Sequence, residues 1–183
     1  MDMENNGRLE PTMDFAPQVS RDTIIGDSIK APNASHKQPW SFIIVNNKEM
    51  IKKISDASKK TMIAGIESNP NSPMKDYAKV LKNENFNVFY NAPCMVGIVG
   101  RIKSPTIAYD CALLASYFML SAAARGLGTT WVAQGAEARD PELLEEIGLP
   151  EGHRIHAPII LGYPKSIPPM PERKEPNILK IIS

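Results

Sequence analysis

The chain has 183 residues, 43% of them hydrophobic, and 21 basic against 20 acidic side chains give a formal net charge of +1. We expect a single globular domain over residues 1–183, and a net charge near zero gives no reason to expect nucleic acid or an acidic membrane as partner. Cys94 and Cys111 lie in separate apolar runs and form no ligand cluster. We therefore predict no metal site, and reduced, buried thiols in a cytoplasmic protein.

The first quarter of the chain combines an irregular start with one helix and one strand. Residues 1–18 show no periodicity and are interpreted as an N-terminal arm. An amphipathic helix then begins at Val19, with Ser20 as its N-cap, and ends at Ala31-Pro32. Residues 42–45 are a run of β-forming residues and predict a strand.

The next part of the chain begins with a clear helical pattern and then becomes irregular. Apolar residues recur at helical spacing over residues 48–66 and predict a helix. Its lysine pairs, Lys52-Lys53 and Lys59-Lys60, are interpreted as a solvated face. Residues 77–90 are mixed and receive no assignment, and we expect residues 67–90 to cover a binding site. A buried strand is predicted over residues 94–100.

The clearest helix of the chain is apolar on every face. We predict that it begins with Ser104 as N-cap and Pro105 in the first helical position, and that Gly126 ends it. A helix without a polar face must be surrounded, and a chain of this size cannot easily surround it alone. A membrane span is the other reading, but Asp110 and two serines interrupt the run. The pattern favours a homodimer whose core includes this helix.

The last third of the chain alternates strands and one helix before a proline-rich end. Residues 129–132 and 155–161 predict strands, and Pro158 places the second at a sheet edge or at a bulge. Between them, residues 140–148 carry the N-cap, proline and glycine signals of a helix. Residues 164–183 are interpreted as an extended C-terminal arm that crosses a partner subunit. The chain as a whole is α+β.

Five stretches, in order, resemble the nitroreductase family of flavin enzymes. Residues 31–40 read Ala-Pro-Asn-Ala-Ser-His-Lys-Gln-Pro-Trp and are similar to the family motif Ala-Pro-Ser-x-x-Asn-x-Gln-Pro-Trp. The other stretches are Phe-Tyr-Asn-Ala-Pro at residues 89–93, Asp-Cys-Ala-Leu at 110–113, Gly-Leu-Gly-Thr-Thr-Trp at 126–131, and Leu-Pro-Glu-Gly at 149–152 leading to Leu-Gly-Tyr-Pro at 161–164.

This resemblance implies an α+β sandwich with a central, mainly antiparallel sheet flanked by helices, built as an intertwined homodimer. Each of two interface sites would bind flavin mononucleotide (FMN) with residues of both chains. NADH or NADPH would reduce the flavin, and a planar, electron-poor acceptor would reoxidise it in the same pocket. The flavin would carry the chemistry, so no catalytic side chain is assigned.

The motif loop supplies the first set of cofactor-binding candidates. By resemblance, Pro32, Asn33, Ala34 and His36 border the flavin, and they come from the partner chain. Asn33 and Ser35 are also common turn residues, so a plain helix stop and turn is the competing interpretation. His36 departs from the more usual Asn of the motif and is interpreted as a hydrogen-bonding residue. We interpret Gln38 and Trp40 as packing residues, with Trp40 in the core.

Two further segments complete the proposed contacts with FMN. The resemblance places Trp131, Val132, Ala133 and Gln134 at one face of the flavin ring, where a backbone N–H would point to flavin N5; for Trp131 core packing is the equal alternative. Arg173 and Lys174 would clamp the phosphate, because a guanidinium suits phosphate oxygens. The family's N-terminal arginine cluster is missing, and Arg8 is the best positional candidate in its place.

The resemblance leads to a functional hypothesis with two rivals. We expect an FMN-dependent NAD(P)H oxidoreductase that reduces nitroaromatic compounds, quinones or similar acceptors by a ping-pong mechanism. The first rival is a flavin enzyme of other chemistry, such as reductive dehalogenation, because the family branch that acts on iodotyrosine also has His at the position of His36. The second is a flavin-binding protein without turnover, which the thin arginine cluster would fit.

Overall fold

The computed structural model describes the backbone of residues 18–22 and the whole of residues 23–69 and 71–182. The predicted α+β class is confirmed. The helices are α1 (Gln18–Ser28), α2 (Lys48–Ser68), α3 (Ala78–Leu81), α4 (Ile107–Ala123) and α5 (Pro141–Glu146). The strands are β1 (Trp40–Val45), β2 (Cys94–Arg101), β3 (Gly128–Trp131) and β4 (His153–Gly162), and short 3-10 turns lie at Ala34–His36, Lys75–Tyr77 and Ala133–Glu137.

The four strands form one antiparallel sheet in the order β1-β2-β4-β3. Strands β2 and β4 lie in the middle and are almost entirely buried, because helices cover both faces of the sheet. This explains why both read as continuous apolar runs, although antiparallel strands more often alternate. The edges are β1, which follows the motif loop, and β3, which follows α4.

A separate hydrophobic core lies on each face of the sheet. Helices α1 and α4 cover the first face, and α2, the 133–137 turn and α5 cover the second. Successive side chains of a strand point to opposite faces. In β2, Val96 and Ile98 accordingly belong to the core under α4, while Met95 belongs to the core under α2. Trp40 is buried in the first core, as predicted.

The predicted ends of the helices are partly wrong. Ser20 lies inside α1 and is therefore not its N-cap. Helix α4 begins at Ile107, with Thr106 at the N-cap position, because Ser104 and Pro105 belong to a turn in which the Ser104 N–H donates to the Arg101 carbonyl (3.2 Å). The opposite end is confirmed. Gly126 has a φ of +74°, and two hydrogen bonds close the helix: the Gly126 N–H donates to the Ala123 carbonyl (3.0 Å), and the Leu127 N–H donates to the Ala122 carbonyl (3.1 Å).

Pro158 lies in a central strand and not at the sheet edge that was one of its two predicted positions. A bulge is present in this same strand, but two residues before the proline: Ile98 pairs with Ala157 and Val99 with Ile155, so His156 is the extra residue. The Pro158 carbonyl accepts a hydrogen bond from the Val132 N–H (2.9 Å), just past the end of β3. In an antiparallel strand, the N–H and the carbonyl of one residue point to the same neighbouring strand. Proline has no N–H, and the nitrogen of Pro158 faces the side where β3 has already ended, so no hydrogen bond of the sheet is lost there.

One lysine of the supposed solvated face is buried. Lys59 is 7% exposed, whereas Lys52, Lys53 and Lys60 are exposed, as predicted. Its Nζ donates to the carbonyl oxygens of Phe86 (2.8 Å) and Asn83 (3.4 Å) and lies 3.0 Å from the carboxylate of Asp56. Helical spacing could not reveal this, because the chain that covers Lys59 comes from residues 83–86, which follow no pattern.

Candidate functional site

The motif loop has an unusual backbone. Ser35, His36 and Gln38 have φ values of +56°, +54° and +46°, a region that side chains other than glycine rarely occupy. A non-glycine residue with such a φ angle costs of order 1 kcal/mol of conformational free energy. Three of them within four consecutive positions persist only when surrounding contacts hold the backbone in place. All three side chains are exposed. Packing of these side chains therefore does not hold the loop in this conformation.

Two polar side chains hold the loop through its backbone. Asn33 donates from Nδ2 to the Ala31 carbonyl (3.3 Å), and its Oδ1 accepts the Gln38 N–H (2.9 Å). The N–H of Ala34 donates to Oδ1 of Asp110, on the first turn of α4, over 2.8 Å. The loop thus presents short polar groups and main chain at the start of α4.

The second predicted segment lies at the far edge of the sheet. Trp131 ends β3 and is 39% exposed, so core packing does not account for it within one subunit. Val132 is buried and begins a 3-10 turn that contains Ala133 and Gln134. At Gly135 an added Cβ would overlap the Phe89 ring, so this turn packs closely against the end of the unpatterned segment.

Residues from the predicted cover meet Gln134. Tyr77, Phe86 and Tyr90 line a small cavity of about 20 Å³ together with Gln134, and the rings of Phe86 and Tyr90 meet edge to face at 6.3 Å. Helix α2 fastens the base of this cover, since Ser55 Oγ accepts the Val88 N–H over 3.0 Å. The cover is therefore aromatic on the side that faces the 131–134 segment.

A single subunit does not bring the predicted residues together. The loop leads into β1 at one edge of the sheet, and Trp131 ends β3 at the other. Across the sheet, β1 and β3 are three strand spacings apart, which is about 14 Å. Along the strands, the register separates Trp40 from Trp131 by about 15 Å. The two perpendicular distances combine to a separation of roughly 20 Å between these residues. That distance is longer than one three-ring system.

The phosphate-binding candidates belong to the two ends of the chain. Arg173 and Lys174 are exposed in the extended segment after β4, and neither forms an ion pair with any residue that the structure describes. Arg8 lies outside the described residues. Both side chains are therefore accessible to an anion.

The titratable groups near these segments offer no acid–base pair. Burial, followed by the charge of Arg154, lowers the pKa of His156. Burial, with the Asp110 carboxylate second, raises the pKa of the Cys111 thiol to about 12. Over residues 23–69 and 71–182, no group of His, Cys, Asp and Glu side chains could hold a metal ion. Within the same ranges no helix is long and apolar enough to cross a membrane.

The sequence matches the family model described as the nitroreductase family over residues 11–163. The chain belongs to the nitroreductase family. A protein of Archaeoglobus fulgidus with the provisional name NADH dehydrogenase/NAD(P)H nitroreductase is 27% identical over 143 residues, which are 78% of this chain and 71% of that protein. The recognition of the family from five short stretches is thereby confirmed.

Solved structures confirm the nitroreductase fold. A nitroreductase with bound FMN from Bacteroides fragilis superposes with a TM-score of 0.80 at 23% identity, over 96% of this chain and 92% of that one. An iodotyrosine deiodinase bound to FMN and 3-iodo-L-tyrosine gives a TM-score of 0.70 at 19% identity, over 94% of this chain and 91% of that one. Proteins named nitroreductase and iodotyrosine deiodinase therefore share this fold.

Three residues that hold these segments were not given that role from the sequence. Asp110 was recognised only as an acid that interrupts an apolar helix and as part of a matching stretch, Lys59 was placed on a solvated face, and Ser55 received no role. A lone acid in an otherwise apolar helix was a usable signal, because a carboxylate is costly to bury without a partner. For Ser55 and Lys59 no such signal existed, since their partners are backbone atoms of a segment without periodicity.

Proposed function

We propose that this chain is an FMN-dependent oxidoreductase that takes hydride from NADH or NADPH and reduces nitroaromatic compounds, quinones or similar electron-poor planar acceptors in a ping-pong cycle. Family membership supports the flavin chemistry. The observation that carries the arrangement is the separation of roughly 20 Å between the motif loop and the 131–134 segment of one subunit. Two copies of the chain can supply one of these segments each to a shared pocket.

The surface of α4 supports a homodimer. Tyr109, Leu113, Tyr117 and Leu120 lie at helical spacing on its outer side and are exposed in one subunit, with Tyr109 at 73% and Leu120 at 70%. An exposed apolar stripe of this kind marks an interface. The end of the chain is equally open, because the apolar side chains of residues 178–182 are exposed. A second copy would cover the stripe, and the arms would cross between subunits.

The residues of the two segments suit FMN. Pro32, Asn33, Ala34 and His36 would border the ring and ribityl chain with short polar groups on a backbone that is already fixed. The main chain of residues 131–134 would line the ring's other side, and the exposed Trp131 would cover it. Bound FMN supplies hydride acceptance and donation, for which the chain needs no nucleophile or acid–base pair.

The charged end of the cofactor would be held by the chain ends. Arg173 would bind the phosphate oxygens in a planar, two-pronged contact, with Lys174 as a second positive charge and Arg8 as a further contributor. The aromatic cover of Tyr77, Phe86 and Tyr90 would exclude water and present flat surfaces to a flat acceptor. We also expect a cytoplasmic protein that does not bind nucleic acid.

An absorption spectrum tests the central claim. Purified protein, alone or after addition of FMN, should show the flavin bands, and anaerobic NADH or NADPH should bleach them. A nitroaromatic compound or a quinone should then restore the colour. The flavin proposal fails if no FMN binds on titration, and the reductase proposal fails if bound flavin is bleached by neither nicotinamide.

A second candidate is reductive dehalogenation. His36 is exposed on the motif loop, and the deiodinase with the same fold is the observation that favours this chemistry. Turnover of an iodophenol with a chemical reductant, in the absence of any nitro or quinone reduction, would support it. Tight FMN binding with no acceptor at all would instead indicate a flavin-binding protein without turnover.

A further inference from the structure

Asp110 is buried where an apolar side chain would cost less. It is 3% exposed and lies on the first turn of α4, between the exposed Tyr109 and the buried Cys111. A carboxylate loses its hydration in such a place and must regain it through hydrogen bonds. The helix N-terminus offers some compensation, because its partial positive charge favours an acid there.

Within the part of the chain that the structure describes, Asp110 has one hydrogen-bond partner outside its own helix. Its Oδ1 accepts the Ala34 N–H over 2.8 Å, across 76 positions of sequence, and its Oδ2 is buried without any partner. A bond from an N–H to a charged oxygen is roughly twice as strong as one between neutral groups. The contact therefore ties the start of α4 to the middle of the motif loop.

The loop needs such a tie. Ser35, His36 and Gln38 hold positive φ angles with exposed side chains, so no side-chain burial offsets their strain. The Asn33 side chain closes the loop upon itself but attaches it to nothing beyond Ala31 and Gln38. The bond to Asp110 is the side-chain hydrogen bond that joins the described part of the loop to the sheet-covering helices.

We infer that Asp110 is a positioning residue, which holds the 33–38 loop in its strained, cofactor-ready conformation through the Ala34 N–H. This inference rests on the proposed FMN site for its functional consequence. Its structural part, the order of the loop, is independent of flavin. The residue touches neither cofactor nor substrate in this role. Its effect reaches the site through the loop backbone.

The test compares Asp110→Ala and Asp110→Asn with Asp27→Ala. Asn keeps a carbonyl oxygen for the Ala34 N–H, whereas Ala removes the acceptor. Asp27 is a matched control, because its carboxylate also ties another segment to α4. It lies on α1 and acts at the other end of α4, where it accepts from Ser121 (2.9 Å) and Arg125 (2.7 Å). Three quantities are measured: the melting temperature, amide hydrogen exchange at Ala34, and the FMN dissociation constant.

We expect D110A to speed Ala34 exchange at least about tenfold and to weaken FMN binding by about tenfold to a hundredfold, the size of one charge-assisted hydrogen bond. D110N should restore both to within about threefold of the original protein, and D27A should lower the melting temperature but leave both within about twofold. If D110A does not fold, it is replaced by Asp110→Ser, because the serine side chain is too short for its oxygen to reach the Ala34 N–H.

Three results would overturn the inference. Unchanged Ala34 exchange in D110A or D110S would show that the loop does not depend on this bond. Equal losses in D110N and D110A would show that charge and not the bond matters, and equal losses of FMN in D27A would show a general loss of stability. If the original protein binds no FMN, the proposed function fails while Ala34 exchange still decides the structural part.

Discussion

Helices α2 and α4 cover opposite faces of one sheet and differ in what they show to the outside. Helix α2 has 21 residues and is amphipathic: Ile51 and Ile54 face the core, and lysines face away. Helix α4 has 17 residues, packs Leu114 and Phe118 inward, and leaves tyrosines and leucines on its outer side. The outer face of α2 is therefore polar, whereas the outer face of α4 is apolar and exposed within one subunit.

The polar side chains that the two helices bury also have different roles. Two of the polar groups that α2 buries, Ser55 and Lys59, fasten the aromatic cover, so this helix supports the site from within its own subunit. The buried carboxylate of α4, Asp110, reaches the motif loop, and its outer stripe is free for a second copy. The cover is thus held within one chain, whereas the proposed flavin pocket would need two.

The largest expected effect comes from charging the outer side of α4. Leu120→Lys should weaken the proposed dimer by about 2 kcal/mol or more, which raises its dissociation constant at least about thirtyfold, because an apolar interface cannot hydrate an ammonium group. FMN should be lost with the dimer. Light scattering coupled to size exclusion measures the mass. Ala64→Lys, at an exposed site of α2, is the control and should change neither mass nor flavin content.

The next largest effect is expected at Lys59, the lysine of α2 that is buried although the helical pattern places it on the solvated face. Lys59→Met should destabilise the fold by about 2 kcal/mol, or lower the melting temperature by about 4–8 °C, because the Phe86 and Asn83 carbonyls lose their donor. Thermal unfolding measures this. The neighbouring exposed Lys60→Met should stay within about 0.5 kcal/mol. Equal effects of the two changes would mean that the burial of Lys59 has no energetic role.

A smaller effect concerns the polar contact that joins α1 to the C-terminal end of α4. Hydrogen bonds from Lys30, Ser121 and Arg125 lower the pKa of Asp27 to about 2 from an ordinary value of 3.8. A carboxylate with a lowered folded pKa adds stability above the unfolded value and loses it as the pH falls, here between about 4 and 2. Urea unfolding at pH 5 and pH 3 should therefore show a steeper loss in the original protein than in Asp27→Asn. Asp76→Asn, at an exposed acid of the cover, should behave like the original.

The smallest expected effect is the reactivity of the cysteine thiols, which reports how well the inner side of α4 is shielded from solvent. Cys111 is fully buried, and its pKa of about 12 leaves roughly one thiol in ten thousand ionised at pH 8. A colorimetric disulfide reagent should therefore label neither Cys111 nor the buried Cys94 until the protein unfolds. Ala64→Cys, on the outer side of α2, should react within the mixing time. Rapid labelling of Cys111 in folded protein would contradict this packing of α4.

The sequence predicted the elements well where local rules apply. The strands come from runs of β-forming and apolar residues, α2 comes from helical periodicity, and α4 comes from a long apolar run. The caps at Asp140 and Gly126 come from residue types that satisfy free backbone groups. The start of α4 was misplaced because Ser104-Pro105 suits a turn as well as a helix N-terminus. Pro158 was open to an edge reading because a sequence does not say which strands flank a given one.

For the candidate site, short motifs identified the segments and could not arrange them. They named the loop, the 131–134 segment and the basic pair, but the contact between Ala34 and Asp110 spans 76 positions and leaves no periodic trace. The opposite sheet edges of the loop and Trp131 likewise depend on the strand order. The buried state of Lys59 depends on a segment without any pattern.

The order of residues by itself determined the class of fold, the helices and strands, and the family, because each follows from neighbours a few positions apart or from contiguous motifs. The tertiary structure alone decided which polar groups are buried, what holds the strained loop, and that the motif loop and the 131–134 segment of one subunit lie at opposite edges of the sheet. Those properties arise where distant segments meet, and there the free energy of burying a charge or a backbone group depends on a partner that local sequence does not name.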